Sequence, residues 1–175
     1  MLNAPVVVLR GPRLDGPRVE PRDHWLTIGY DKDLNKAWDL LLAETRKYLI
    51  ETKKATSGDV DQVMARDWRC AISEVVNVVK GTYCMVPKAA SAEAAKPLPT
   101  EEDATYFVTH SAQGDLNKAM DDASMAMIEL LQKKGLSRLD AYSLASMAMD
   151  CQLGPPKGAD KAVHCLMPKS LWKKS

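Results

Sequence analysis

The same sequence pattern occurs twice in this chain, about 82 residues apart. Residues 33–37 and 115–119 both read D-L-N-K-A, and the segments before them share a threonine, Thr27 and Thr109. Further along, C-M-V-P-K at 84–88 matches C-L-M-P-K at 165–169, and Cys70 matches Cys151, both at an offset of 81. Internal similarity of this kind indicates two copies of one structural unit. The chain is therefore expected to form two similar halves.

Each copy opens with a strand signal followed by a long helix signal. The segments from Trp25 to Tyr30 and from Tyr106 to His110 alternate in a way that predicts a strand. Asp33 and Asp115 then stand where a helix N-cap belongs. Helical spacing of core residues follows in both copies: Leu34, Ala37, Trp38, Leu41, Thr45, Tyr48 and Leu49, then Leu116, Ala119, Met120, Ala123, Met127, Leu130 and Leu131.

A second, shorter helix is predicted in each copy. Gly135 is placed to end the long helix of the second copy, and Ser137 with Asp140 resembles a capping box. The helix that it opens is expected to run to about Met149. In the first copy, Ser57 or Asp59 starts the corresponding helix.

Short apolar strands close each copy. They are predicted from Ile72 to Val79 and from Thr82 to Val86 in the first copy, and from Ala162 to Met167 in the second. Where the first copy has residues 73–76, the second has residues 154–157, which include Pro155 and Pro156. Two consecutive prolines disfavour a paired central strand at that place.

These patterns predict an α+β fold made by tandem duplication of a β-α-α-β-β unit, with two small sheets that are each covered by helices. The expected organisation is a Pro/Arg-rich lead-in at residues 1–24, a first repeat at 25–88, an Ala/Pro linker at 89–104 and a second repeat at 105–175. One unit of this size is marginally stable alone, so the halves are expected to complete a core together or with a partner.

Charge and apolar runs exclude several classes of protein. The chain has 24 Lys and Arg against 23 Asp and Glu, so it has no basic field for a nucleic acid. No apolar run reaches the ~20 residues that span a bilayer, and residues 1–10 do not resemble a secretion signal. We therefore expect a cytoplasmic protein with no membrane contact, whose four cysteines are reduced thiols.

Several ordered blocks resemble one enzyme family. In the first copy these are H-W-L-T-I-G-Y-D-K-D-L-N-K-A, D-W-R-C-A-I-S-E-V-V-N and K-G-T-Y-C-M-V-P-K. In the second they are Y-F-V-T, D-L-N-K-A, K-K-G-L-S-R-L-D-A-Y-S-L-A-S-M-A-M-D and V-H-C-L-M-P-K-S-L-W. Each set resembles the C-terminal segment of the acetamidase/formamidase family. The resemblance covers residues 22–88 and 105–172, nearly the whole sequence.

The resemblance implies amide chemistry, since members of the family hydrolyse short linear amides such as formamide and acetamide to the carboxylic acid and ammonia. A family enzyme places a long β-rich region, with the metal and the catalytic residues, before one copy of this segment. That region has no counterpart in this sequence, so no catalytic residue is carried over. A divalent metal such as zinc is expected only in a catalytic partner.

Three functions follow as hypotheses. In the first, the chain is a subunit or accessory part of an amide hydrolase whose catalytic region is another polypeptide, docked beside the linker and at Trp25 or Trp172. In the second, it is a non-catalytic binding or assembly module that kept the fold and lost the chemistry. The expected partner is another protein or a second copy of the chain in a homo-oligomer, with a small amide substrate in the assembled enzyme. In the third, it is a stand-alone hydrolase with an improvised site.

The candidate catalytic residues of the third hypothesis are His164, Cys165 and Cys84. Amide hydrolysis needs an activated nucleophile or a metal-bound water, and these residues supply a thiol and an imidazole base. The four cysteines form two C-x13-C pairs, whereas structural zinc sites usually take ligands two to four residues apart. We therefore predict no metal site and no cofactor site in the chain itself.

Overall fold

The computed structural model describes residues 16–21, 24–60, 69–87, 98–154 and 161–171. The first half contains the strands β1 (Arg18–Val19), β2 (His24–Asp31), β3 (Arg69–Glu74) and β4 (Lys80–Pro87), with the helix α1 (Leu34–Lys53) after β2. The second half contains β5 (Tyr106–Gln113), α2 (Leu116–Lys133), α3 (Arg138–Ala148), β6 (Asp150–Leu153) and β7 (Lys161–Pro168). A 3-10 turn follows at Lys169–Leu171.

The seven strands of the described residues join one antiparallel sheet, in the order β1-β2-β4-β3-β6-β7-β5. The expectation of two small separate sheets is therefore wrong. The two halves meet at β3 and β6, where Cys70 faces Leu153 and Ala71 faces Gln152. This pairing provides hydrogen-bond partners for the backbone N–H and C=O groups along two strand edges, which two separate sheets would leave unpaired.

The junction between the halves is centred on one residue pair. Ala71 and Gln152 face each other and are 81 residues apart, which is the offset that relates Cys70 to Cys151. Matching positions of the two halves thus meet at the middle of the sheet. The other pairings correspond in the same way, because β2 pairs with β4 as β5 pairs with β7.

The helices that the structure describes pack on one face of the sheet. Helix α1 lies on β2 and β4, where Thr82 Oγ1 donates to the carbonyl oxygen of Ala37 at 3.2 Å. Helix α2 lies on β5 and β7, where Thr109 Oγ1 donates to the carbonyl oxygen of Ala123 at 2.8 Å. Between helices and sheet, one core cluster contains residues of both halves: Leu34, Trp38, Leu41, Cys70, Cys84, Leu116, Ala119, Met120, Ala123, Cys151, Val163 and Cys165.

Successive side chains of a strand point to opposite faces, so the other face of the sheet carries the residues between the core positions. We call it the helix-free face. Buried residues lie near its centre, among them Ala71 and Gln152. Its half-buried apolar residues include Leu26, Ile28, Tyr83, Met85 and Val108.

The predicted helix starts are confirmed. The carboxylates of Asp33 and Asp115 accept from the backbone N–H two residues ahead, and Ser137 caps α3. Gly135 follows α2 with φ of 104°, the left-handed conformation expected after a helix. In the first half, residues 57–60 are helical, and Thr56 rather than Ser57 exchanges capping hydrogen bonds with Asp59.

The strand predicted from Ile72 to Val79 is shorter than expected. Strand β3 ends at Glu74 after a register shift, and residues 75–79 form bends. Val76 is 82% exposed and Val78 is 76% exposed, so the apolar run that suggested a strand continues into an exposed loop. Pro155 and Pro156 lie outside the described residues.

The lead-in contributes the short edge strand β1, which pairs with Leu26 and Thr27 of β2. The guanidinium of Arg18 in β1 forms an ion pair with the buried carboxylate of Glu44 in α1. Among the helices that the structure describes, none combines the length and the apolar character that a bilayer crossing needs.

Candidate functional site

The D-L-N-K-A blocks bring the N-termini of α1 and α2 together. Within α1, the carboxylate of Asp33 accepts from the backbone N–H of Asn35 at 2.8 Å and from its side-chain amide at 3.1 Å. Within α2, Asp115 makes the same two contacts with Asn117, at 2.9 and 3.1 Å. Each aspartate therefore satisfies one of the N–H groups that a helix start leaves without a partner.

The two asparagines cap the helix of the opposite half. The backbone N–H of Leu34 donates to Asn117 Oδ1 at 3.3 Å, and the backbone N–H of Leu116 donates to Asn35 Oδ1 at 2.9 Å. Each asparagine also donates from Nδ2 to the aspartate of the opposite half, at 3.2 and 2.8 Å. The repeated block thus forms a reciprocal contact between the halves.

Two lysines complete this cluster. Lys80 Nζ donates to Asn117 Oδ1 at 2.5 Å, and Lys161 Nζ donates to Asn35 Oδ1 at 2.6 Å. The lysines begin β4 and β7 and are 81 residues apart, so they occupy matching positions. We call the six residues the capping clasp: Asp33, Asn35, Lys80, Asp115, Asn117 and Lys161.

Hydrogen bonds within the capping clasp lower the pKa values of its two aspartates. Hydrogen bonds from the backbone and side chain of Asn35, then from Asn117, hold the pKa of Asp33 below its usual value of 3.8. The side chains of Asn35 and Asn117 lower the pKa of Asp115 in the same way. A carboxylate with a lowered pKa stays ionised at neutral pH and is a poor general acid or base. The clasp therefore joins the two halves through its hydrogen bonds, and its carboxylates are weak bases.

Loss of one clasp asparagine is expected to destabilise the fold. Asn35→Ala removes the acceptor for Leu116 N–H and Lys161, so we expect the free energy of unfolding to fall by about 1–2 kcal/mol. Asn117→Ala should have a similar effect, and the double variant should deviate from additivity because both asparagines bind the same two aspartates. Urea denaturation measures all three.

The control for this prediction is Lys36→Ala, because Lys36 is exposed and lies beside Asn35 in the first turn of α1. We expect this variant to change stability by less than about 0.5 kcal/mol. Equal stability of the asparagine variants and the control would show that the capping clasp does not hold the halves together.

The lowered pKa values predict a loss of stability in acid. A carboxyl group whose pKa is lower in the folded state stabilises the fold above its unfolded pKa, and this contribution disappears as the pH falls through the folded pKa. The urea midpoint should therefore hold steady down to about pH 5 and fall below about pH 4. In the double variant Asp33→Asn with Asp115→Asn, the urea midpoint should fall less steeply as the pH is lowered. Asparagine still caps a helix but has no carboxyl group to protonate.

The matched control for the acid experiment is Asp39→Asn with Asp121→Asn, which makes the same charge change on exposed helix positions. If both double variants lose stability in acid as the unsubstituted chain does, the two capping aspartates are not the groups responsible.

The four cysteines form two disulfides, which corrects the expectation of reduced thiols. Cys70 pairs with Cys84 across β3 and β4, and Cys151 pairs with Cys165 across β6 and β7. The members of each pair face each other in the strand register, so the hairpin geometry brings their sulfurs together. All four are at most 5% exposed, and in this form Cys84 and Cys165 present no thiolate nucleophile.

His164 lies on the other face of the sheet from the two candidate cysteines. Cys165 and Cys84 are in the core under the helices, whereas His164 is on the helix-free face between Gln152 of β6 and His110 of β5. The structure therefore does not bring His164, Cys165 and Cys84 together as a catalytic group.

A polar cluster occupies the middle of the helix-free face. Arg69 Nε donates to Gln152 Oε1 at 3.2 Å, and Gln152 Nε2 donates to Asp150 Oδ2 at 2.7 Å. Burial, together with the charge of Asp150, raises the pKa of the nearby Tyr83 hydroxyl, and the charge of Arg69 opposes this shift. These groups bind one another and leave no nucleophile beside a free base among them.

A cavity of about 280 Å³ lies between α1 and the edge of β2. It is lined by backbone and apolar groups, and its charged residues are Glu44, which binds Arg18, and Lys47. The described residues of this lining include no serine, cysteine or histidine, so the cavity does not pair a serine or cysteine nucleophile with an imidazole base.

Of the two predicted docking tryptophans, Trp25 is among the described residues and Trp172 is not. Trp25 is half-buried and packs on Tyr48, with 5.3 Å between ring centroids, while Trp172 and residues 88–97 lie outside the described residues. In the part of the chain that the structure describes, no group of three or more His, Cys, Asp and Glu side chains could hold a metal ion.

Sequence reasoning missed the roles of Asn35, Asn117, Lys80 and Lys161. The available signal was repetition, because all four recur at matching positions in the two halves.

No protein-family model matches the chain, and neither does a curated protein or a solved structure.

Proposed function

We propose that this chain is a subunit or accessory part of an acetamidase/formamidase-related enzyme, which hydrolyses short linear amides to the carboxylic acid and ammonia. In this proposal the metal and the catalytic residues belong to another polypeptide. One observation carries the proposal: the sequence blocks that resemble the family build the framework of the fold.

The two copies of the block D-L-N-K-A provide four of the six residues of the capping clasp, and C-M-V-P-K and C-L-M-P-K contribute to the strands β4 and β7. Hydrolysis of an amide needs an activated nucleophile or metal-bound water and donors for the developing oxyanion. Among the described residues of these blocks, the cysteines are in disulfides and Asp33 and Asp115 cap helices, so neither group is offered here as the nucleophile. A separate catalytic partner completes such an enzyme.

The partner is proposed to dock on the helix-free face. Leu26, Ile28, Met85 and Val108 are half-buried there, although the core lies on the other side of the sheet. An apolar surface next to polar residues is typical of a protein interface. The partner proposed here is a β-rich protein that presents an apolar face of its own.

We also infer that the two halves arose by tandem duplication of one β-α-α-β-β unit. The repeated blocks, the matching strand pairings and the two disulfides at equivalent positions support this origin.

A cytoplasmic location remains part of the proposal. The disulfides argue in the other direction, because structural disulfides are rare in a reducing cytosol.

The test is isolation of the tagged chain from its native host, followed by an ammonia-release assay with formamide and acetamide. The recombinant chain is assayed alone in parallel. The proposal expects ammonia release only with a co-purified partner, and loss of that release when the metal is chelated. Activity of the chain alone would overturn it, and absence of activity in both samples would favour the non-catalytic assembly module.

Matched variants locate the docking face. Met85→Lys places a charge on the helix-free face, and Leu139→Lys places the same charge on α3, where Leu139 is 73% exposed. We expect the first variant to lose the partner and its ammonia release, and the second to keep both. Equal recovery of activity with the two variants would show that the partner docks elsewhere.

A further inference from the structure

Two histidines face each other on the helix-free face. His110 of β5 and His164 of β7 are directly opposite in the antiparallel register. Their ring centroids are 6.0 Å apart, and the ring planes differ by 30°. His110 is exposed and His164 is half-buried, so solvent reaches the pair from the side away from the core.

The separation of the two rings suits one shared metal ion. A ring nitrogen binds zinc at 2.0–2.1 Å, which puts each ring centroid about 3.2 Å from the ion. Two imidazoles on one ion therefore have centroids about 5.2 Å apart at a tetrahedral angle and about 6.4 Å apart when linear. The observed 6.0 Å lies within this range. Rotation about the Cβ–Cγ bond, which is soft in histidine, aims a nitrogen of each ring at the ion.

We propose that His110 and His164 form a binding site for a divalent transition metal ion such as Zn²⁺, Cu²⁺ or Ni²⁺. Imidazole is a preferred ligand of these ions. His110 and His164 are the two protein ligands of the proposed site. The remaining coordination positions are open to water or to a small anionic ligand.

The first half of the chain contains an internal comparison for this site. The equivalent cross-strand pair there is Ile28 of β2 and Tyr83 of β4, which face each other in the same register. Neither residue offers a nitrogen ligand. The site is therefore a property of the second half, and it does not rest on the proposed amidase function.

The test is isothermal titration of the full chain, with its disulfides intact, using zinc chloride alone. We expect one ion per chain. His110→Ile and His164→Tyr, which copy the first half, should each weaken binding by about tenfold or more. His24→Gln is the control, since His24 is a third histidine at the start of β2, and it should bind as the unsubstituted chain does.

Electron paramagnetic resonance with Cu²⁺ identifies the ligands independently. The unsubstituted chain should show nitrogen coupling from two imidazoles, and the exposed-site variant His110→Gln should show one. Circular dichroism verifies that each variant is folded, and His110→Gln serves if His164→Tyr does not fold. Absence of zinc binding, or binding and nitrogen coupling that both substitutions leave unchanged, would overturn the proposal.

Discussion

Replacing Cys70 and Cys84 together by alanine is expected to lower the free energy of unfolding by about 3 kcal/mol. The two residues are 14 positions apart, and a cross-link over a loop of this length restricts the unfolded chain by roughly that amount. The pair Cys151 and Cys165 has the same separation, so its double alanine variant should lose a similar amount. Urea denaturation under non-reducing conditions measures both losses.

The reduced form of the unsubstituted chain is the control for this prediction. Full reduction should bring its urea midpoint down to that of the variant lacking all four cysteines, because both chains then lack the cross-links. Peptide mapping without reduction verifies the pairing. A midpoint that does not respond to reductant would mean that the disulfides are absent or do not contribute to stability.

The second large effect is expected for Gly29→Ala. Helix α1 approaches β2 so closely at this point that an added methyl carbon would lie 2.1 Å from the carbonyl oxygen of Ala37 and 2.7 Å from the backbone nitrogen of Leu41. Both are backbone atoms of a packed helix, so the helix itself has to move. Overpacking of this kind costs about 3 kcal/mol or more when the backbone has to shift.

Gly114→Ala is the matched control, since no atom lies within 4 Å of the position where its methyl carbon would be. We expect Gly114→Ala to change stability by less than about 1 kcal/mol, and Gly29→Ala to lower the urea midpoint well below it. Similar midpoints for the two variants would contradict the close packing of α1 against β2.

Local features of the fold could be predicted from the sequence because they depend on neighbouring residues. The caps at Asp33, Asp115 and Ser137 follow from residue type and from the start of a helical pattern. The extent of β3 could not be predicted in this way. Val75 to Val79 continue an apolar run, and only the register shift in β3 and the exposure of the loop mark where the strand ends.

Contacts between the halves depend on which strand edges meet, and local patterns do not contain that information. One sheet and two sheets are both compatible with the same alternation of apolar and polar residues, so the pairing of β3 with β6 was not predictable.

The disulfides were missed for a different reason. The expected compartment outweighed the matching C-x13-C spacing, although a hairpin places such residues face to face. The position of His164 opposite His110 likewise depends on strand register.

Matching positions in the two halves can hold different residues because one chain supplies both. Arg69 and Asp150 are 81 residues apart and occupy corresponding places in β3 and β6, and both contact Gln152. A dimer of identical single units would have to place two arginines or two aspartates there, with like charges close together. The presence of both halves in one chain removes this requirement of self-complementarity, so each side of the junction is free to have its own charge and its own binding chemistry.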